Sequence, residues 1–326
     1  MRIPTSAVLS LAALPLMAAA QNPSINWADF LTSCQTPGQI ALTYSEGPSE
    51  ATIEMLQTLK DAQAKVTFFT NATWLQYMQY AGVTRHAYMD GHLIAMTYRL
   101  PSDTSKGLTN NEIKEDIGRA SRTIQDLIGV YPKYMKVHEA SVKDPRLLDI
   151  VKSMGYTLVG FNLDEYDYKY NTLDKAGQIV EVYNSIFSKQ QEAYGRKASY
   201  IVTGYDVPTT GAAAALPKVI NTINAHGYDM VRLDGCVNDK YPYKKDPIKD
   251  NGYVNDAKSF GGQEYKHGQV NVNANSYSPT AGKGLGPESA SKGTAGGDHL
   301  VSSATKMAAA VSTILAVPAF LFSFFL

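Results

Sequence analysis

Short apolar runs alternate with helical patterns through the middle of the chain. Between the runs, apolar residues recur three or four positions apart, as on the buried face of a helix. The runs are Ile40–Tyr44, Lys65–Thr70, Leu93–Thr97, Tyr134–Val137, Thr157–Asn162, Ser199–Tyr205 and Asp229–Leu233. This alternation predicts a parallel sheet that is covered on both faces or closed into a barrel. Functional residues are then expected at the carboxyl ends of the strands.

Local signals mark several helix ends. Ser49 precedes a segment with apolar residues at helical spacing, which is typical of a helix N-cap. Gly155 and Gly227 each follow a helical pattern and precede a tyrosine and the next strand. We therefore expect both glycines to take the left-handed conformation that ends a helix.

The composition changes after Asp246. From residue 246 to 297 the chain is rich in Asn, Gly, Ser, Lys and Ala, with few large apolar residues. Such a segment buries too little apolar surface to offset its ordering entropy. The sequence therefore predicts a folded domain over 34–245 and a flexible stalk over 246–297.

Both ends of the chain carry processing signals. One arginine and an apolar run ending in small residues predict a signal peptide over 1–20, followed by an N-terminal extension over 21–33. The last 20 residues are apolar, and a polar spacer separates them from Ala295-Gly296-Gly297. This pattern predicts a GPI-attachment propeptide over 298–326, with the lipid joined at Gly296. A plain C-terminal membrane helix is the alternative.

Charge and cysteine content narrow the choice of partners and compartment. Lys plus Arg and Asp plus Glu both number 30, so the formal net charge is zero and no nucleic-acid partner is expected. Cys34 and Cys236 are expected to pair in an oxidising extracellular compartment. Asn71-Ala72-Thr73 is a glycosylation sequon, which predicts a surface position for Asn71.

Several segments, in order along the chain, resemble the motifs of the polysaccharide deacetylases. This family is also called carbohydrate esterase family four, or the NodB homology domain, and the segments look most like those of fungal chitin deacetylases. They are Cys34–Pro48, Lys65–Phe69, Asp90–Ala95, Phe161–Asp164, Ile201–Asp206 and Gly227–Cys236. The two cysteines also fall where many fungal members place a disulfide.

The resemblance implies an α/β fold, namely a deformed, incomplete (β/α) barrel of about seven parallel strands. It also implies hydrolysis of N-acetyl groups on chitin-like glycans. In the family an aspartate and two histidines bind a divalent metal, usually zinc, while a second aspartate is the base and a histidine is the acid. Such a metal lowers the pKa of its bound water to about 7 and polarises the carbonyl.

The first two motifs lack most of the residues that this chemistry requires. Ser45 stands at the base position and Glu46 at the aspartate position of the metal site. Met96 and Leu100 stand where the two histidine ligands are expected, in a motif that is one residue shorter here. A hydroxyl has no affinity for a proton near neutral pH, so Ser45 is not expected to act as a base. The histidine that remains, His92, is expected to be structural.

The third and last motifs are altered as well. Lys136 replaces an arginine, and Asp167 keeps the position that tethers this basic residue in the family. Tyr205 replaces the acid histidine beside a retained Asp206. Tyrosine, with a pKa near ~10, is a poor proton shuttle at neutral pH.

Two functional hypotheses follow. The first is a catalytically impaired or inactive protein without a cofactor, held at the outer face of the plasma membrane by a GPI lipid and facing the cell wall. It would bind chitin-like or chitosan-like polysaccharide through aromatic stacking. The stacking candidates are Tyr44, Tyr98, Tyr166 and Tyr168. The second hypothesis is an active deacetylase with a remodelled centre, in which Glu46, His138 and Asp206 hold zinc or another divalent cation.

Overall fold

Parallel strands form one curled sheet in the computed structural model, which describes residues 27–276. The strands of the structure are β1 (Gln39–Ser45), β2 (Thr67–Asn71), β3 (Leu93–Tyr98), β4 (Tyr131–Pro132), β5 (Tyr134–Val137), β6 (Thr157–Leu158), β7 (Leu163–Asp164), β8 (Tyr200–Tyr205), β9 (Asp229–Met230), β10 (Tyr243–Lys244) and β11 (Tyr253–Val254). Strands β4, β10 and β11 form a separate antiparallel sheet, and β9 pairs with the start of β1. The sheet order is β6-β5-β3-β2-β1-β8-β7, and every pair in it is parallel. Seven parallel strands thus form a half-barrel, which confirms the predicted deformed, incomplete (β/α) barrel.

Helices cover the outer face of this sheet. They are α1 (Glu50–Asp61), α2 (Met78–Met89), α3 (Asn110–Ile128), α4 (Pro145–Ser153), α5 (Ala176–Tyr194), α6 (Ala212–Ala225) and the short α7 (Leu233–Cys236). The side chain of Ser49 caps α1 by accepting a hydrogen bond from the N–H of Ala51, as expected. Gly155 and Gly227 have φ values of 78° and 67°, which confirms the two predicted left-handed glycines.

The N-terminal residues complete one open edge of the sheet. Leu31 forms a parallel bridge with Val159, just beyond β6. Its N–H donates to the carbonyl of Leu158 at 2.9 Å, and its carbonyl accepts from the N–H of Gly160 at 2.9 Å. Part of the predicted N-terminal extension therefore belongs to the fold.

The disulfide ties the two ends of the domain together. Cys34 lies just before β1, Cys236 ends α7, and their sulfur atoms are bonded, so the predicted pairing is confirmed. The bridge spans a sequence separation of 202 residues. It therefore constrains almost the whole domain in the unfolded state.

The segment 246–276 differs from the predicted flexible stalk, because it packs across the amino-terminal end of the barrel. Backbone N–H groups join it to the domain at Phe260 to Asp234 Oδ2 (2.8 Å), Gly268 to Met230 O (2.7 Å) and Val270 to Ala62 O (2.8 Å). Backbone hydrogen bonds of this kind need no apolar side chains, so composition gave no sign of them. The rest of the predicted stalk, the signal peptide and the GPI segment with Gly296 lie outside the described residues. Within 27–276, no helix combines the length and apolar character needed to cross a membrane.

Candidate functional site

A cavity of about 550 Å³ opens at the carboxyl ends of the strands. Its polar lining includes Ser45, Glu46, Thr97, Lys136, His138, Glu139, Lys143, Asp164, Thr203 and Tyr205. Its aromatic lining includes Trp27, Phe30, Phe161 and Tyr168. This is the end of a parallel barrel where functional residues are expected.

Ser45 and Glu46 stand side by side in the wall where β1 ends. Ser45 is 3% exposed, and its Oγ has no hydrogen-bond partner among the described residues. Glu46 has a φ of 72°, and its Oε2 accepts a hydrogen bond from Nδ2 of Asn71 at 3.1 Å. Asn71, the asparagine of the glycosylation sequon, is partly exposed, and its side-chain amide is bonded to Glu46 in the cavity wall.

Asp206 braces the turn that carries these two residues. Its Oδ1 accepts from the N–H of Gly47 at 2.9 Å, and its Oδ2 accepts from the hydroxyl of Thr52 at 2.8 Å. Burial raises the pKa of Asp206 to about 7. The side chain lies beneath the cavity and does not line it. The remodelled set of Glu46, His138 and Asp206 is thus not brought together by the structure.

The second motif does not place its predicted residues in the cavity. Met96 and Leu100 are buried in the hydrophobic core, and neither lines the cavity. Thr97 is the residue of β3 that faces it, because side chains alternate along a strand. The hydroxyl of Thr97 donates to the carbonyl of Phe69 at 2.9 Å. Neither Met96 nor Leu100 therefore presents its side chain to the cavity.

Lys136 lies in the lining as a buried cation at the end of β5. Its Nζ donates to Oγ1 of Thr43 at 2.7 Å and to Oγ1 of Thr203 at 3.1 Å. Burial lowers its pKa to about 7, although the carboxylates of Asp167 and others act in the opposite direction.

Asp167 does not tether Lys136 as the resemblance implied. It accepts hydrogen bonds from the N–H of Tyr168 (2.9 Å) and of Tyr205 (2.8 Å), and no ion pair with Lys136 is found in the described part of the chain. Asp167 therefore fixes the backbone beside Tyr205. Burial raises the pKa of both side chains.

The four tyrosine candidates divide into two pairs. Tyr44 and Tyr98 are buried, and the hydroxyl of Tyr98 donates to Asp116 on α3, so neither ring is available to stack on a sugar. Tyr168 is 43% exposed, and its ring centroid lies 6.1 Å from that of Tyr205. Tyr166 is partly exposed and packs against Tyr168, also at 6.1 Å. The usable aromatic surface is therefore the turn after β7.

His92 takes the structural role expected of it. It is 1% exposed, and its Nδ1 accepts the N–H of Val66 at 3.2 Å. Burial holds its pKa well below the usual range, so the ring is neutral.

The residues present do not fit a zinc centre with three protein ligands. Residues 27–276 contain no group of three or more His, Cys, Asp or Glu side chains placed to hold a metal ion. Glu46 and His138 line the same cavity, but both oxygens of Asp206 accept hydrogen bonds below it. Apolar or hydroxyl side chains occupy β3 where nitrogen donors would be needed.

Several lining residues were not selected from the sequence. Glu139 and Asp164 lie within or beside quoted motifs, and their positions after β5 and β7 were the available signal. Trp27 and Phe30 reach the cavity only because the N-terminal segment bridges to Val159. No local pattern predicts that long-range contact.

Comparison with known proteins agrees with this architecture. A sequence model of the family described as polysaccharide deacetylase matches residues 32–159. A chitin deacetylase of Colletotrichum lindemuthianum is 29% identical over 214 residues, which are 64% of this chain and 83% of that protein. Its solved structure superposes with a TM-score of 0.56 at 27% identity, covering 66% of this chain and 94% of the other. The chain therefore contains a polysaccharide deacetylase domain.

Two further similarities show the range of this deacetylase family. A chitin deacetylase of Arthroderma benhamiae is 28% identical over 218 residues, 66% of this chain and 56% of that protein. A carbohydrate esterase family four pseudoenzyme from Bacillus anthracis shares the fold at 15% identity with a TM-score of 0.50, over 64% of this chain and 69% of the other. The family fold is thus present in proteins described as enzymes and in one described as a pseudoenzyme.

Proposed function

We propose that this deacetylase-family protein binds chitin-type polysaccharide at the cell surface without deacetylating it at an appreciable rate. The observation that carries the proposal is the buried hydroxyl of Ser45 where the resemblance places the catalytic base. A hydroxyl does not accept a proton from water near neutral pH, so general-base activation is lost. The names of the related chitin deacetylases support a glycan of the chitin kind as the ligand.

The cavity offers what a sugar-binding site needs. Its wall combines aromatic rings with hydroxyl and carboxylate groups, and carbohydrate is bound by stacking on rings and by hydrogen bonds to hydroxyls. The exposed ring of Tyr168 stands at one side, and Glu46 stands on the β1 side. Binding therefore remains feasible although the catalytic groups of the family are replaced.

Three measurements on the purified full chain test the proposal together. Titration calorimetry measures binding of N-acetylglucosamine and glucosamine oligomers, acetate release measures deacetylation, and elemental analysis measures bound zinc per chain. We expect binding to at least one oligomer, without acetate release. Stoichiometric metal together with acetate release would establish the active, remodelled deacetylase instead. Absence of binding to every oligomer would overturn the glycan-binding role.

We further propose secretion and attachment through a GPI lipid at Gly296, supported by the two terminal sequence patterns. A phosphatidylinositol-specific phospholipase should release the protein from intact cells. Replacement of the small residues 295–297 by bulky ones should abolish that release. If the phospholipase leaves the protein on the membrane and the full hydrophobic tail is found in the mature chain, the anchor is a membrane helix.

A further inference from the structure

Carboxylates outnumber cations in the wall of the cavity. Glu46, Glu139 and Asp164 line it, against the two lysines Lys136 and Lys143. None of the three carboxylates forms an ion pair within residues 27–276, where the ion pairs found all involve other acidic side chains. The site thus presents negative charge that no protein cation neutralises directly.

The two lysines offset only part of this charge. Lys143 is exposed, so solvent screens it. Lys136 donates to the neutral hydroxyls of Thr43 and Thr203, and burial lowers its pKa to about 7. At neutral pH about half of the Lys136 amines are therefore uncharged.

The pKa of the Tyr205 hydroxyl is affected by the same excess of negative charge. Burial raises its pKa, and the carboxylates of Asp167, Asp164, Glu139 and Glu46 raise it further. Tyr205 itself lines the cavity, so these carboxylates act at the place where a ligand would sit. The electrostatic potential there favours a positively charged group.

A second, independent observation points to a ligand beside these carboxylates. The Oγ of Ser45 is buried, lies in the cavity wall and has no hydrogen-bond partner among the described residues. A buried polar atom without a partner costs free energy unless a ligand or water satisfies it. Ser45 directly precedes Glu46, and both residues line the same cavity.

We infer that the cavity selects a deacetylated sugar unit, whose ammonium group binds Glu46 while the sugar lies beside Ser45 and Tyr168. This inference rests on the proposed glycan-binding function and specifies its ligand as chitosan-like rather than fully acetylated. An ammonium forms charge-assisted hydrogen bonds with carboxylates, which are about twice as strong as neutral ones. A neutral acetamide at the same place leaves the carboxylate without a cation.

The test compares two tetramers that differ only in their acetyl groups. Full-length protein is titrated at low salt and about pH 7, where amines of this class are largely protonated, with the glucosamine tetramer and with the N-acetylglucosamine tetramer. We expect the glucosamine tetramer to bind about 10-fold more tightly, and added salt to reduce that preference.

Charge-neutral variants locate the preference. Glu46→Gln should weaken glucosamine tetramer binding about 10-fold and so bring the affinities of the two tetramers close to each other. Glu139→Gln changes an exposed side chain of the same cavity and should weaken glucosamine tetramer binding less than Glu46→Gln does. Glu192→Gln makes the same charge change at an exposed position of α5 and should change nothing, so it controls for net charge.

Each outcome separates the inference from the proposed function. Equal or tighter binding of the N-acetylglucosamine tetramer would overturn the inference and leave glycan binding intact. Loss of both ligands would overturn both. A glucosamine preference that survives Glu46→Gln and Glu139→Gln, or that Glu192→Gln removes equally, would show nonspecific attraction and would also overturn the inference.

Discussion

The Nζ of Lys136 lies 2.7 Å from Oγ1 of Thr43, so a buried ammonium is held by a neutral hydroxyl. In the related motif this basic residue is tethered by an aspartate, but here Asp167 bonds to backbone N–H groups instead. The cation is therefore desolvated without a bonded counter-ion in the described part of the chain. This arrangement lowers the stability of the domain in a way that depends on pH.

Replacing Lys136 by methionine should stabilise the protein at neutral pH. Burial lowers the lysine pKa to about 7, whereas an unfolded lysine titrates near ~10.4. Between these values the unfolded chain binds more protons, so the free energy of unfolding of the native chain rises with pH. We expect the free energy of unfolding of Lys136→Met to exceed that of the native chain by about 1–4 kcal/mol at pH 7. The gain should shrink toward about pH 10.

Urea unfolding at several pH values measures this difference. Lys218→Met, at an exposed position of α6, is the matched control and should show no such trend. A loss of stability in Lys136→Met, or a gain that is the same at every pH, would contradict the interpretation.

Asp206 should behave as a structural brace and not as a ligand-binding group. Asp206→Ala leaves the N–H of Gly47 and the hydroxyl of Thr52 without their acceptor, so we expect a loss of about 2–4 kcal/mol in unfolding free energy. Asp206→Asn keeps one acceptor and should lose about 1 kcal/mol. Calorimetric glycan affinity of the folded Asn variant should stay within about 2-fold.

The pH dependence of the Asp206 effect has a definite sign. Burial raises its pKa to about 7 from an unfolded value near ~3.9, so its stabilising contribution is full below ~4 and is lost as pH rises through 7. Chemical denaturation should therefore show a larger penalty for Asp206→Asn at about pH 5 than at about pH 8. Asp126→Asn, exposed on α3, serves as control. A loss of unfolding free energy in Asp206→Asn that grows with pH would contradict a raised pKa for Asp206.

Tyr168 should carry aromatic stacking in the cavity. Its ring is 43% exposed beside Tyr205, and its hydroxyl donates to Oδ2 of Asp164 at 2.9 Å. Tyr168→Ala should weaken oligomer binding about 5- to 10-fold, while Tyr168→Phe should stay within about 2-fold because the ring remains. Tyr194→Ala removes a comparably exposed ring outside the cavity and should have no effect. Equal losses for Phe and Ala would assign the effect to the hydroxyl.

The segment 246–276 should be required for full stability. A chain that ends after Asp246 loses the backbone bonds made by Phe260, Gly268 and Val270, each worth about 1 kcal/mol. Thermal unfolding should therefore show a Tm lower by about 6–12 °C than that of a chain ending after Ser276. Equal Tm values for the two chains would show that the segment is dispensable.

The sequence was informative where a feature depends on local pattern. Alternation of apolar runs with helical spacing was enough to predict the parallel half-barrel, and the glycines Gly155 and Gly227 marked helix ends correctly. Motif order predicted the polysaccharide deacetylase domain, and the structure places Ser45, Lys136 and Tyr205 of those motifs in the cavity wall. Composition did not predict the packing of 246–276, because backbone N–H groups such as those of Phe260, Gly268 and Val270, together with polar side chains such as Gln269, hold it to the domain without large apolar residues.

What the sequence determined by itself is the chemistry that is available: a hydroxyl at the base position, a lone glutamate beside it, and few nitrogen donors. Only the tertiary structure decided which side chains meet. In the structure Thr97, rather than Met96, faces the cavity, and Asp206 lies behind its wall. Tyr44 and Tyr98 are buried. Three carboxylates that form no ion pair with a described residue line the cavity. The reason is that strand alternation, sheet curvature and contacts between distant segments set the direction of each side chain, and none of these is encoded within a single motif.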